Sequence, residues 1–170
     1  MEQTTKVHIK TNFGNLVLEL FPDKAPKSVD NFLKYVRAGF YKDTLIHRVI
    51  SNFIIQGGGF GSEMVQKATY PPISNEAKNG LRNERGTIAL ARTNDPHSAT
   101  SQFFINLADN DFLNYTSSTP GGWGYCVFGH VIESMHVAET ISGVPTGSRY
   151  GFENVPLTDV FIEKVQAVKA

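Results

Sequence analysis

Apart from two stretches at helical spacing, this chain is a run of short apolar segments broken every few residues by turn chemistry, and that punctuation narrows the fold most. Val7 to Lys10 and Leu16 to Leu20 flank Asn12-Phe13-Gly14-Asn15, which reads as an opening β-hairpin. Gly86 to Arg92, Gln102 to Leu107 and Cys126 to Val131 read as further strands, and Val160, Ile162 and Val165 mark a closing one. Of the helical stretches, the first has Pro26 at its opening position, Val29, Phe32, Leu33 and Val36 on one face, and Gly39 as a left-handed stop. In the second, Ser134 is placed to cap a helix with Met135, Ala138 and Ile141 facing one way, ended by Gly143. With no βαβ rhythm, the pattern excludes a Rossmann-like sheet and predicts a mainly β, antiparallel barrel. The polar connection from Gly61 to Asn83, with Pro71-Pro72 in it, exceeds the usual loop length, which favours a functional or packing role, and Asp109 to Gly124 reads as mostly loop.

The stretch from Leu45 to Gly61 carries the chemistry. It opens as an apolar run with Arg48 between Ile46 and Val49, turns at Ser51-Asn52, and delivers Gln56 into a glycine cluster through a second apolar run. A guanidinium in greasy surroundings is costly unless partnered. Arg48 is therefore either a salt-bridged strand residue, with Gln56 filling a turn, or a donor kept for a ligand. It cannot be a base, because it stays protonated at any working pH.

A second segment, Arg92 to Asn106, bears on that choice. His47-Arg48-Val49-Ile50, Phe53, Gln56-Gly57-Gly58 and Ser101-Gln102-Phe103-Phe104-Ile105-Asn106 stand in the order and spacing of the cyclophilins, the peptidyl-prolyl cis-trans isomerases that also bind cyclosporin. Asn31-Phe32, Gly39-Phe40-Tyr41, Asn75-Glu76, Gly86 to Ala91 and Val127-Phe128-Gly129 fit as well, so the resemblance runs from about Val7 to Val165. The short loops and Gly121-Gly122-Trp123-Gly124-Tyr125 look most like the small bacterial cytoplasmic members. The resemblance implies one isomerase domain over residues 1–170, an eight-stranded antiparallel β-barrel closed by two α-helices.

The chemistry it implies can be argued from the amide itself. Rotation breaks a resonance worth a barrier of about 18–20 kcal/mol, and uncatalysed X-Pro exchange takes on the order of tens to hundreds of seconds. In the twisted state the prolyl nitrogen regains a lone pair that can accept a hydrogen bond. A fixed guanidinium beside it binds that state better than either planar one, which is the condition for catalysis. Arg48 takes this role, and Gln56 holds Arg48 or the substrate carbonyl. By resemblance Phe53, Ile54, Phe104 and Leu113 line a proline socket with Phe112 beside them, while Gln102 and the Arg92 backbone bind the peptide opposite and Tyr125 offers a polar tip at the rim. For any one of these aromatics alone, ordinary core is the better reading. The set at family spacing carries the assignment.

Lys plus Arg and Asp plus Glu are equal at 16 each, so no overall field favours nucleic acid or an anionic membrane surface. At 170 residues and 41% hydrophobic content, one core suffices. The single Cys126 cannot close an internal disulfide, and it reads as a small buried thiol. The start, Met1 to Lys6, lacks a signal-peptide apolar region, and no stretch is long enough to span a bilayer. The expected compartment is the cytoplasm, where the sequon Asn114-Tyr115-Thr116 goes unread. His8, His47, His97, His130 and His136 form no dense metal-ligand spacing, no Gly-x-Ser-x-Gly elbow occurs, and Gly57 to Gly61 misses the phosphate-loop patterns, so no metal and no cofactor is expected. His47 packs or hydrogen-bonds beside Arg48 on this reading. The expected partners are proline-containing peptides and unfolded protein clients, met by a monomer. The rival class is a non-catalytic proline-peptide binding module or chaperone, which would share the socket but not the need for Arg48.

Three positions depart from many eukaryotic cyclophilins: Phe112 replaces tryptophan, Tyr125 histidine and Ile54 methionine. Tryptophan there donates its indole N–H to cyclosporin, and Phe112 has no donor. Catalysis should be retained while cyclosporin binds weakly, so inhibition equal to that of a tryptophan-bearing cyclophilin in one assay would contradict this.

Overall fold

The computed structural model describes residues 5–168. Strands β1 (Lys6–Thr11) and β2 (Gly14–Leu20) form the opening hairpin, with Thr11 paired to Gly14 across the turn. Then come α1 (Pro26–Arg37), β3 (Ile46–Ile50), β4 (Ile54–Gly57), β5 (Thr87–Leu90), β6 (Phe103–Asn106) and β7 (Val127–Glu133). The chain closes with α2 (Met135–Ser142), a small hairpin of β8 (Thr146–Arg149) and β9 (Phe152–Pro156), and β10 (Ile162–Val168).

Eight strands form one sheet in the order β10-β1-β2-β7-β5-β6-β4-β3, antiparallel at every pairing. Register shifts in the β1/β10, β2/β7, β3/β4 and β5/β7 pairs add local bend and twist, and the sheet curls. Its outer strands meet at one corner: the N–H of Ile46 donates to the Val160 carbonyl at 2.8 Å, that of Asp43 to Ile162 at 2.7 Å, and that of Ile162 to Thr44 at 2.8 Å. The barrel is thus closed at a corner rather than by a continuous ladder.

Both helices bury their apolar faces in the one interior core, α1 through Val29, Phe32, Leu33, Tyr35 and Val36, and α2 through Val137, Ala138 and Ile141. Pro26 opens α1 as expected, and Gly39 follows it at φ 68°. Its first turn carries no cap of its own. Glu76, from the long Gly61 to Asn83 connection, accepts hydrogen bonds from the N–H groups of Lys27 (3.2 Å) and Ser28 (2.7 Å). A carboxylate there satisfies two orphan donors and complements the helix dipole, which is one packing role of that loop.

Four points depart from expectation. Ser134 precedes α2, but its backbone is left-handed at φ 66° and its side chain makes no capping bond. Val137, rather than Met135, joins Ala138 and Ile141 on the buried face, because Met135 in the first turn reaches only the margin of the core. The β8–β9 hairpin was not expected at all. Its sequences lack apolar alternation, and it is held where Val155 packs with Leu45, Phe60 and Met64. Val160 lies just before the closing strand and serves the corner instead.

At the centre of the core Phe32 is fully buried, its ring 5.2 Å from Phe128, 5.4 Å from Tyr41 and 5.8 Å from Phe103. Phe32→Ala should lower unfolding free energy by about 3–5 kcal/mol in urea titration. A loss under about 1 kcal/mol would mean that the ring is not a keystone of this core.

Candidate active site

The side-chain alternation of β-strands divides β4 to β7 between two clusters. Ile55, Ile88, Leu90, Phe103, Ile105 and Phe128 point into the barrel core. Their neighbours Ile54, Ala89, Ala91, Phe104 and Val127 point outward and form a second buried cluster, with Phe53, Leu113 and Tyr125 packed partly against it. That outer cluster is the floor of a hollow of about 120 Å³, lined by Arg48, Phe53, Ile54, Gln56, Ala91, Arg92, Phe104, Leu113 and Tyr125. Sites for drug-sized ligands run to several hundred Å³, so this one suits a single side chain.

Pairing sets the polar rim. Arg48 lies opposite Gln56 across β3 and β4, and Gln56 lies opposite Phe104 across β4 and β6, so all three share the outer face. Arg48 Nη1 donates to Gln56 Oε1 at 3.3 Å, and Gln56 Nε2 donates to Gln102 Oε1 at 2.9 Å. Among the described residues no carboxylate pairs with Arg48. Arg48 is itself half-buried and lines the hollow. The side chain of Arg92 is committed differently: Nε donates to the Gly124 carbonyl at 3.0 Å and Nη1 to the Thr93 carbonyl at 2.8 Å, with the guanidinium 4.5 Å above the Tyr125 ring.

Of the residues singled out in the sequence, Arg48, Gln56, Phe53, Ile54, Arg92, Phe104, Leu113 and Tyr125 meet in this hollow. Gln102 lies next door, in a polar hollow shared with Gln66, Thr93, Ser98 and Thr100. Phe112 does not line either one. It stands 74% exposed on the rim, stacked on Phe53 at 5.6 Å. Ala91 was missed, although it lies two residues on from the outward Ala89, just past the end of β5.

Also missed was a set of asparagines that holds the walls. Asn106, fully buried, donates to Asn83 Oδ1 at 3.0 Å and to Thr87 Oγ1 at 2.9 Å, and accepts from Asn110 Nδ2 at 2.8 Å. Asn110 donates in turn to the Phe53 carbonyl at 3.0 Å, and Asn83 to the carbonyls of Leu113 (3.1 Å) and Tyr125 (3.2 Å). Three wall residues thus have their backbones pinned by buried amides, which rigidify a site when fully satisfied.

His47 points away from this chemistry. It is buried edge-on against Phe60, with ring centroids 4.6 Å apart, and its Nδ1 finds no hydrogen-bond partner among the described residues. Burial first, and the neighbouring Arg48 charge second, push its pKa down to about 4. Cys126 is buried beside the Ser28 hydroxyl, and burial pushes its thiol up to about 11, out of range for a nucleophile. Among the described residues no three His, Cys, Asp or Glu side chains converge as metal ligands, and no helix is long and apolar enough to cross a membrane.

A guanidinium without a carboxylate partner among the described residues thus stands beside a small hollow with an apolar floor, on the outside of a curled antiparallel sheet. The family model described as cyclophilin type peptidyl-prolyl cis-trans isomerase matches residues 6–167, and the chain belongs to that family. It is 59% identical over 160 residues to peptidyl-prolyl cis-trans isomerase cyp18 of Streptomyces antibioticus, covering 94% of this chain and 96% of that one. It is 57% identical to peptidyl-prolyl cis-trans isomerase B of Escherichia coli K12, covering 94% and 97%. The crystal structure of a cyclophilin-type isomerase of Cryptosporidium parvum, in the presence of the dipeptide Ala-Pro, superposes with a TM-score of 0.79 at 29% identity, over 97% of this chain and 99% of that one.

The depressed His47 pKa makes a stability statement. Between its ordinary value of 6.5 and about 4 the unfolded chain takes up a proton that the folded protein refuses. The stability is full above that window and is lost as pH falls through it, by up to about 3 kcal/mol. Urea midpoints measured across the window should fall in wild type and fall less in His47→Gln; parallel curves would clear His47 as the cause.

Proposed function

We propose that this chain accelerates cis-trans rotation about X-Pro bonds in proline-containing peptides and unfolded chains, with Arg48 as the catalytic residue. The observation that carries the reading is the guanidinium held by Gln56 alone beside the apolar hollow, with donors to spare. The prolyl ring occupies the socket of Phe53, Ile54, Phe104 and Leu113. The amide then sits at the rim, where an Arg48 N–H meets the prolyl nitrogen once the bond has turned. A planar amide nitrogen offers no lone pair, so the bond forms only in the twisted state, and selective binding of that state lowers the barrier. Gln56 keeps the guanidinium aimed. Gln102, the Arg92 backbone, Tyr125 and Phe112 bind the flanking peptide. No proton is transferred and no covalent intermediate is formed.

The chain works as a single domain, a reading supported by a family match spanning nearly its whole length. We read it as a monomer acting in the cytoplasm, in keeping with its one buried thiol and balanced charge. Cyclosporin-type ligands bind weakly, because exposed Phe112 supplies contact but no donor.

A protease-coupled assay on an X-Pro peptide tests the reading. Wild type should accelerate exchange, and Arg48→Ala should lower kcat/KM about a hundred- to a thousand-fold, as loss of an electrostatic donor worth about 3–4 kcal/mol does. Peptide affinity by titration should be largely kept. No acceleration by wild type would leave a proline-binding module, and full activity in Arg48→Ala would overturn Arg48 as the catalytic residue.

A further inference from the structure

Three glycines follow Gln56, and each is required for a different reason. At Gly57 an added Cβ would lie 2.6 Å from the Leu45 carbonyl oxygen and 3.0 Å from Ile46 Cα, backbone atoms that cannot step aside. At Gly58 φ is +90°, and a Cβ would meet the rings of Phe103 and Tyr41 at 2.8 Å. Gly59 has neither reason. Its φ lies outside the left-handed region, and the three atoms nearest a Cβ are Cγ, Nε2 and Cδ of Gln102, at 2.5, 2.7 and 2.8 Å. All three belong to one flexible side chain and none to backbone. A methyl group at 59 is compatible with the fold but not with Gln102 in its present place.

That place has a consequence two residues away. Arg48 can only donate and so requires the Gln56 oxygen toward it, and Gln102 Oε1, accepting from Gln56 Nε2, anchors the other end of that amide. With its nitrogen committed to Gln102, Gln56 turns its oxygen to Arg48 Nη1. Were the amide reversed, its NH₂ would face the guanidinium, donor against donor. We infer that Gly59 is a positioning residue for Arg48: the absence of its side chain leaves the space in which Gln102 orients Gln56, and Gln56 aims the guanidinium. This rests on the isomerase reading above and extends it from the catalytic residue to a backbone position that touches neither Arg48 nor substrate.

The test is a double-mutant cycle in the same protease-coupled assay, with Arg48→Ala alongside. Gly59→Ala and Gln102→Ala should each lower kcat/KM by about three- to tenfold, the range of one hydrogen bond. The double variant should be no slower than Gln102→Ala alone, because alanine at 102 has no Cγ for the new methyl to displace. The NMR signal of the Arg48 side-chain N–H should move in both single variants, a response that a lesion elsewhere would not give. The urea midpoint of Gly59→Ala should stay at the wild-type value. Multiplicative losses in the double variant, wild-type rates in either single one, or a Gly59→Ala protein destabilised whatever stands at 102 would overturn the inference. No acceleration by wild type would instead overturn the isomerase reading, and full activity in Arg48→Ala its assignment of Arg48, so these failures are told apart.

Discussion

The pleat of four neighbouring strands is the constraint on which the rest depends. Because successive side chains leave opposite faces, Ile55, Phe103 and Ile105 can fill the barrel while Ile54, Phe104 and Gln56 face out from the same backbone. The interior supplies stability, and the exterior supplies a socket whose floor is as well packed as a core. Neither has to be compromised for the other. A slip of one residue in the β4/β6 register would exchange the two sets, turning Gln56 inward and Ile55 to the rim.

On that outer face the decisive quantity is what Arg48 lacks. A carboxylate partner would neutralise it and occupy its donors; a neutral amide holds it in place and leaves its charge available. Neutral amides recur behind the walls, where Asn83, Asn106 and Asn110 fasten the backbones of Phe53, Leu113 and Tyr125. On the function proposed above, fixed donors and fixed walls require little rearrangement when a substrate enters, which is what stabilisation of a fleeting twisted state needs.

Much of this was legible in the sequence, for reasons that differ by element. The opening hairpin and α1 carry strong local signals, namely a glycine-bearing turn, a proline start and a clean helical face, and they form where expected. Arg48 and Gln56 were conspicuous because polar groups in apolar runs need explaining. The second helix was found with the wrong cap and one wrong face residue, since serine marks a start without saying how its backbone enters. The β8–β9 hairpin escaped because tertiary packing at Val155, not its own pattern, holds it. The asparagine network escaped for a similar reason. An isolated Asn in a sequence looks like turn chemistry, and only the fold brings residues 83, 106 and 110 within reach of one another.

The corner where Ile46, Asp43 and Ile162 join the outer strands has a further bearing on what such a molecule can safely do. Extended polypeptides seek any free row of backbone donors and acceptors, and a sheet left open would recruit them as additional strands. Three backbone hydrogen bonds at that corner occupy donors and acceptors where the two edge strands β3 and β10 approach, so fewer are left there for a foreign strand to pair with.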